Sequence, residues 1–152
     1  MQIELTEQQR MVRDLVRTFA QERVKPVASE VDRAHRFPAE IVEELGRLGI
    51  MGTFVPARYG GAGFDYVSYA TAIEELSVAC AATGVIVSAH SSLATWPILE
   101  LGSEAQREQY RPAMARGEHI GCFALSEPSA GSDAGAQRTV ARRDGDAYVI
   151  NG

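Results

Sequence analysis

After Gly84 the chain runs VIVSAHSSLATWPILEL, with Glu100 its only acid and no lysine or arginine. Broken by serines and a proline, this stretch falls short of a membrane span and fits a helix buried on most sides. A buried central helix needs other helices around it, and the flanking sequence supplies them. Thr6 followed by Gln9 forms a capping box, with Leu5 placed as a staple, and Val12, Leu15, Val16, Phe19 and Val24 then fall on one helical face. Pro26 is expected to interrupt or kink this helix, and Pro38 opens another with Ile41, Val42, Leu45 and Leu48 inward and Gly49 as its stop. Asp65 can cap a helix with Val67, Ala70, Ile73, Leu76 and Ser77 on one side. Ser103 with Gln106 makes a second capping box, for a helix that ends at Gly117. Between these, MGTFVPARYGGAGF has no period and reads as a long ordered loop, a kind of segment that often carries function.

At about His119 the pattern changes. HIGCFAL is β-branched and aromatic enough for a strand, QRTVARR reads as another, and an RDGD turn leads into AYVIN as a hairpin. The expected fold is therefore mainly α: a helical bundle domain over residues 1–118, then the first strands of a β-domain over 119–152. Two or three strands cannot cover a sheet face, so the β part is expected to be truncated or completed by something else.

A net charge of −5 with scattered basic residues gives no footprint for nucleic acid. Cys80 and Cys122 lie outside any metal or redox spacing and read as two buried thiols in a reducing compartment. The N-terminal MQIELTEQQRMVRDL has charges where a leader's apolar region would be, and no other stretch approaches membrane-spanning length, so a cytoplasmic location is expected.

Residues 124–136, ALSEPSAGSDAGA, are almost all small. Gly131 and Gly135 let the backbone approach a ligand closely, while Ser126, Ser129 and Ser132 offer hydroxyls, so the loop can present successive N–H groups to an anionic or carbonyl-rich group. Neither common phosphate-binding motif is present. On the residues alone, a ligand loop and a plain connection between strands are equally good readings.

With Phe123 in front, this run resembles the first signature of the acyl-CoA dehydrogenases: an aliphatic residue, Ser or Thr, Glu, two free positions, a small residue, Gly, Ser or Thr, then Asp. Leu125, Ser126, Glu127, Ala130, Gly131, Ser132 and Asp133 meet every fixed position. VPARYGGAGFDY, AIEEL and PILELGSEAQREQYRPAMARGE are similar to the family at the expected separations, so the resemblance covers the whole chain. The wording is nearest the short-chain, butyryl-type branch. The resemblance implies an N-terminal helical domain and a central β-domain that hold FAD, with Phe123, Ala124, Leu125, Ser126, Gly131 and Ser132 on flavin-binding positions and Ser132 also contacting acyl-CoA. It further implies removal of an α-proton and a β-hydride to give trans-2-enoyl-CoA, an electron-transfer flavoprotein as electron acceptor, and a homotetramer. The family's base is a glutamate of a C-terminal helical domain that this sequence does not contain, and the second flavin segment expected after Asn151-Gly152 is also missing. No residue is therefore assigned as catalytic, and the chain alone is expected to be inactive. Two alternatives stand beside this reading: a non-catalytic split subunit or interaction module of the same fold, or a related acyl-CoA oxidase or flavin monooxygenase.

Glu127 and Asp133 read as acceptors that hold the loop, because a carboxylate beside a reduced flavin is unfavourable unless paired. His35, His90 and His119 lack metal-ligand spacing, and His90 fits a satisfied core or pocket-wall histidine. Adjacent Glu74 and Glu75 point about 100° apart on a helix and do not make a catalytic pair, with at least one of them solvated. Tyr59, Phe64, Tyr66 and Tyr69 read as anchors of the GGAG loop that also wall an acyl pocket.

Overall fold

The computed structural model describes residues 4–152, so the first three residues of the segment read above for a leader lie outside the described residues. The chain divides between Cys122 and Phe123 into two compact units. Helices dominate the first, and the second carries a short antiparallel strand pair.

Helix α1 (Glu7–Phe19) starts on the expected capping box, in which the Thr6 hydroxyl accepts from the Gln9 N–H and the Gln9 side chain accepts from the Thr6 N–H. The Gln9 amide also donates to Asp65 at 2.7 Å, and Asp65 in turn accepts from the Ser68 N–H at 2.7 Å as the cap of α4 (Tyr66–Ala79). Two helix starts are thus tied by one hydrogen-bond chain. Val12, Val16 and Phe19 are buried, whereas Leu15, expected inward, is 45% exposed. The interruption expected at Pro26 takes the form of a π turn over Ala20–Val24 that runs directly into α2 (Lys25–Arg33). Pro26 sits in the first turn of α2, where a missing N–H costs least.

Helix α3 (Ala39–Arg47) follows Pro38 and buries Ile41, Val42 and Leu45, while Leu48 at its C-cap is partly exposed instead of inward. Gly49, with φ at +76°, ends it as read from the sequence. One turn earlier, a Cβ on Gly46 would lie 2.2 Å from the Arg116 carbonyl oxygen, so only glycine permits that approach. The segment to Phe64 is an ordered loop with 3₁₀ turns at Ile50–Gly52 and Ala57–Tyr59. It folds back on itself through Ala62 N–H to Gly52 O and Phe64 N–H to Thr53 O bonds.

Helix α4 packs along α1, but its inward face is Ser68, Thr71, Ala72, Glu75 and Leu76, displaced from the expected set, so that Val67 and Ser77 face out. Glu75 on that face is paired. Arg17 donates to both Glu75 oxygens, at 2.6 and 3.0 Å, and this bidentate pair lets a carboxylate take a core position. Glu74, as expected of at least one of the pair, is exposed.

The nearly uncharged stretch, with the residues just before it, forms α5 (Ala81–Ser88), a π turn over Ala89–Thr95 and α6 (Trp96–Leu101). Its burial is one-sided: Thr83, Val87, His90, Ser91 and Thr95 are buried, while Val85, Leu93, Trp96 and Leu101 are exposed. Absence of charge was a poor guide here, because it marks what a face can meet and not what covers it. Helix α7 (Glu104–Ala115) begins on the Ser103–Gln106 capping box and is followed by Gly117 at φ +71°. No described helix is long and apolar enough to cross a membrane.

In the second unit, β1 (Val140–Asp144) pairs antiparallel with β2 (Ala147–Asn151) in a register running from Val140 opposite Asn151 to Asp144 opposite Ala147. Gly145, at φ +59°, makes the turn. HIGCFAL, expected as a strand, forms none: residues 119–125 have no ladder partner among the described residues, and strand propensity is realised only through pairing. Neither cysteine is buried as expected, since Cys80 is half-buried and Cys122 exposed.

Candidate functional site

The small-residue loop is closed by its own polar groups. Glu127 N–H donates to Ala130 O at 2.9 Å and Ala130 N–H returns a bond to Glu127 O at 3.1 Å, so Glu127-Pro128-Ser129-Ala130 is a tight turn. The Glu127 carboxylate then accepts from the Arg138 N–H, the Thr139 N–H at 3.0 Å and the Thr139 hydroxyl at 2.5 Å, with the Ser129 hydroxyl at 3.5 Å. Led by the Thr139 hydroxyl and the Arg138 N–H, these donors hold its carboxyl below the usual carboxylate range. Alongside, the Gln137 side chain donates to Leu125 O at 2.5 Å. Glu127 is the loop-holding acceptor expected from the sequence. Asp133 is not: its carboxylate accepts no hydrogen bond among the described residues. Gln137 and Thr139 were missed, and no spacing in the sequence marks them.

A concavity of about 540 Å³ lies against this clamp, lined by Ala124, Leu125, Ser126, Glu127 and Pro128 on one side and Gln137, Thr139 and Ile150 on another. Of the residues singled out for cofactor contact, Ala124, Leu125 and Ser126 therefore line one cavity. Phe123, Gly131 and Ser132 do not, although all three belong to the same unit and Phe123 and Ser132 are exposed. Among the described residues, the N–H groups of Leu125, Ser126, Gly131 and Ser132 find no hydrogen-bond acceptor. The loop is thus a rim of free donors in which the Glu127 carboxylate is engaged by Ser129 and by Arg138 and Thr139 just beyond it. Such an arrangement suits carbonyl oxygens or an anion.

The helical unit holds the remaining candidates. His90 is fully buried; its Nε2 lies 3.1 Å from Met114 O and its Nδ1 accepts from the Gly121 N–H at 2.9 Å, which fixes a neutral ring with the proton on Nε2. Burial lowers its pKa, against the raising effect of the carbonyl contacts. It is the satisfied core histidine of the sequence reading. Phe54, not singled out beforehand, centres the aromatics, with the rings of Tyr66 and Tyr69 each 5.2 Å away. Tyr59 is buried and Phe64 packs against the core, so these residues anchor the loop. Among the described residues no cluster of His, Cys, Asp or Glu is fit to hold a metal ion. A larger cavity of about 850 Å³ at Gly46, Gly60 and Gly117 belongs to the helical unit, and its charged groups are already paired as Arg47–Glu43 and Arg116–Glu118.

Residues 6–118 match the model of the family described as "Acyl-CoA dehydrogenase, N-terminal domain". The chain belongs to the acyl-CoA dehydrogenase family. It is 51% identical over 152 residues to "Acyl-CoA dehydrogenase, short-chain specific" of Clostridium acetobutylicum, matching along all of its own length and 40% of that relative's. A chain in a solved structure described as the electron transferring flavoprotein of Acidaminococcus fermentans superposes with a TM-score of 0.94 at 42% identity, over 100% of this acyl-CoA dehydrogenase homologue and 40% of that chain. An acyl-CoA dehydrogenase of Bacillus anthracis complexed with FAD superposes with a TM-score of 0.91 at 33% identity, over 98% of this chain and 26% of that one. The chain therefore spans well under half the length of these relatives.

Proposed function

We propose that this chain provides the N-terminal helical domain, residues 1–118, and the opening of the β-domain, residues 119–152, of an FAD-dependent enzyme that oxidises a short acyl-CoA thioester to its trans-2-enoyl-CoA. The observation that carries the cofactor assignment is the set of free N–H groups on a loop already closed by Glu127. When bound, FAD supplies a hydride acceptor. The N–H groups of Leu125 and Ser126 would donate to the carbonyl oxygens of the ring's pyrimidine edge, where negative charge gathers on reduction, and fixed donors at that point favour the reduced form. The Ser126 hydroxyl would add a donor to the ring and Ala124 would wall it, while Phe123, Gly131 and Ser132, which lie outside that cavity, would meet the cofactor beyond it, with Ser132 also reaching the acyl-CoA. The FAD complex of the similar B. anthracis enzyme supports the cofactor, and the similarity to the Acidaminococcus chain supports an electron-transfer flavoprotein as partner. The exposed apolar residues Val85, Leu93, Trp96 and Leu101 suit association into a homotetramer.

Equilibrium dialysis against FAD tests the assignment. The protein compartment is expected to retain flavin absorbance, and Ser126→Ala and Ser132→Ala to reduce it; no retention at any accessible protein concentration would sink it. Because no residue here is assigned as the base that takes the α-proton, acyl-CoA-dependent dye reduction is not expected of these 152 residues by themselves.

A further inference from the structure

We propose that Glu127 is the positioning residue of the cofactor loop: by drawing the backbone of Arg138 and Thr139 onto its carboxylate, it turns the free N–H groups of Leu125 and Ser126 toward the ligand. This rests on the FAD reading and adds to it a residue that acts through the loop backbone. Three observations converge on it. The carboxylate spans the loop, joining residue 127 to residues 138 and 139 through two N–H bonds and one hydroxyl bond. The Leu125 carbonyl accepts from the Gln137 side chain, so the peptide that carries the Ser126 N–H is held at its carbonyl oxygen. Glu127, Gln137 and Thr139 all border the cavity lined by Ala124, Leu125 and Ser126, which places the clamp and the presented donors around one space.

The charge matters as well as the reach. A carboxylate next to a ring that gains negative charge would oppose both binding and reduction if it faced the ligand unpaired. Gathering donors from 138 and 139 turns that charge into the loop's own closure. Glutamine cannot replace it, because its NH₂ group would meet the N–H of Arg138 or of Thr139 head on, whichever way the amide is turned.

The test compares Glu127→Gln, Thr139→Val and the unaltered chain, each checked for an unchanged helical circular dichroism signal. Amide hydrogen exchange at Arg138 and Thr139 and FAD affinity by dialysis are measured on all three. The expected result is faster exchange at both amides and FAD binding weakened about tenfold or more in Glu127→Gln, with a smaller weakening in Thr139→Val, in keeping with the loss of charge-assisted bonds. Faster exchange with unchanged FAD affinity would make Glu127 a structural residue only and overturn the proposal. Unchanged exchange would mean that the clamp does not form, and would overturn it too. If the unaltered chain itself retains no FAD, the cofactor reading falls and takes this one with it, an outcome distinct from equal binding by chain and variant.

Discussion

Replacing Arg111 by methionine is expected to stabilise the helical unit, by about 1–4 kcal/mol, as found when buried charges give way to apolar residues of similar volume. Arg111 is 1% exposed, and its Nε, Nη1 and Nη2 have no hydrogen-bond partner among the described residues. The Tyr59 ring lies 4.1 Å from the guanidinium carbon, and the Arg58 guanidinium lies over the same ring at 4.7 Å. A cation–π contact is worth about 0.5–2 kcal/mol, less than the several kcal/mol of desolvation. The nearby carboxylate of Glu104 is engaged by the Tyr59 hydroxyl and by Arg107. Burial accordingly lowers the Arg111 pKa, the largest of its influences. A urea titration of Arg111→Met should show a higher midpoint at an unchanged slope. A lower midpoint would mean that the guanidinium has a partner in solution and that its burial is compensated.

His90→Leu is expected to act in the opposite direction. It leaves the Met114 carbonyl and the Gly121 N–H without their partner, at about 1–3 kcal/mol for each orphaned group. The neighbourhood cannot relax easily, since a Cβ on Gly121 would already lie 2.3 Å from that of Ala94. A pH signature separates this from ordinary loss of packing. The folded-state pKa of His90 is lowered by burial, while an unfolded histidine titrates near about 6.5. Below that pH the unfolded chain takes up a proton that the folded chain refuses. The stability due to His90 is thus fully present above about pH 6.5 and is lost as pH falls toward the folded-state value, at up to about 1.4 kcal/mol per unit. Denaturation series between pH 7 and pH 5 should show this slope in the unaltered chain and a shallower one in His90→Leu. Equal slopes would show that His90 is free to protonate in the folded protein.

What the sequence made legible was local chemistry. Both capping boxes and the Asp65 cap form as read, because each needs only residues three apart. Gly49 and the RDGD turn likewise carry their own backbone requirement. Features settled by distant partners were not legible. Glu75 on the buried face of α4 pairs with Arg17, fifty-eight residues away in sequence, and HIGCFAL has strand-forming residues but no pairing partner among those described. Arg111 looks like a solvated residue in an amphipathic helix, and tertiary packing, with the Tyr59 ring against its guanidinium, hides it. At the loop, Glu127 was readable because a carboxylate among small residues needs donors. Those donors come from Arg138, Thr139 and Ser129, whose part no motif announces, and Asp133, which looked equivalent, has none among the described residues.

The central claim is that the N–H groups of this loop, held outward by Glu127, receive the flavin. Amide chemical shifts of isotopically labelled chain, followed as FAD is added, test it most directly. The account predicts saturable shifts at Leu125, Ser126, Gly131 and Ser132 that exceed those in the helical unit. Shifts confined to residues before Cys122, or none at saturating FAD, would contradict it.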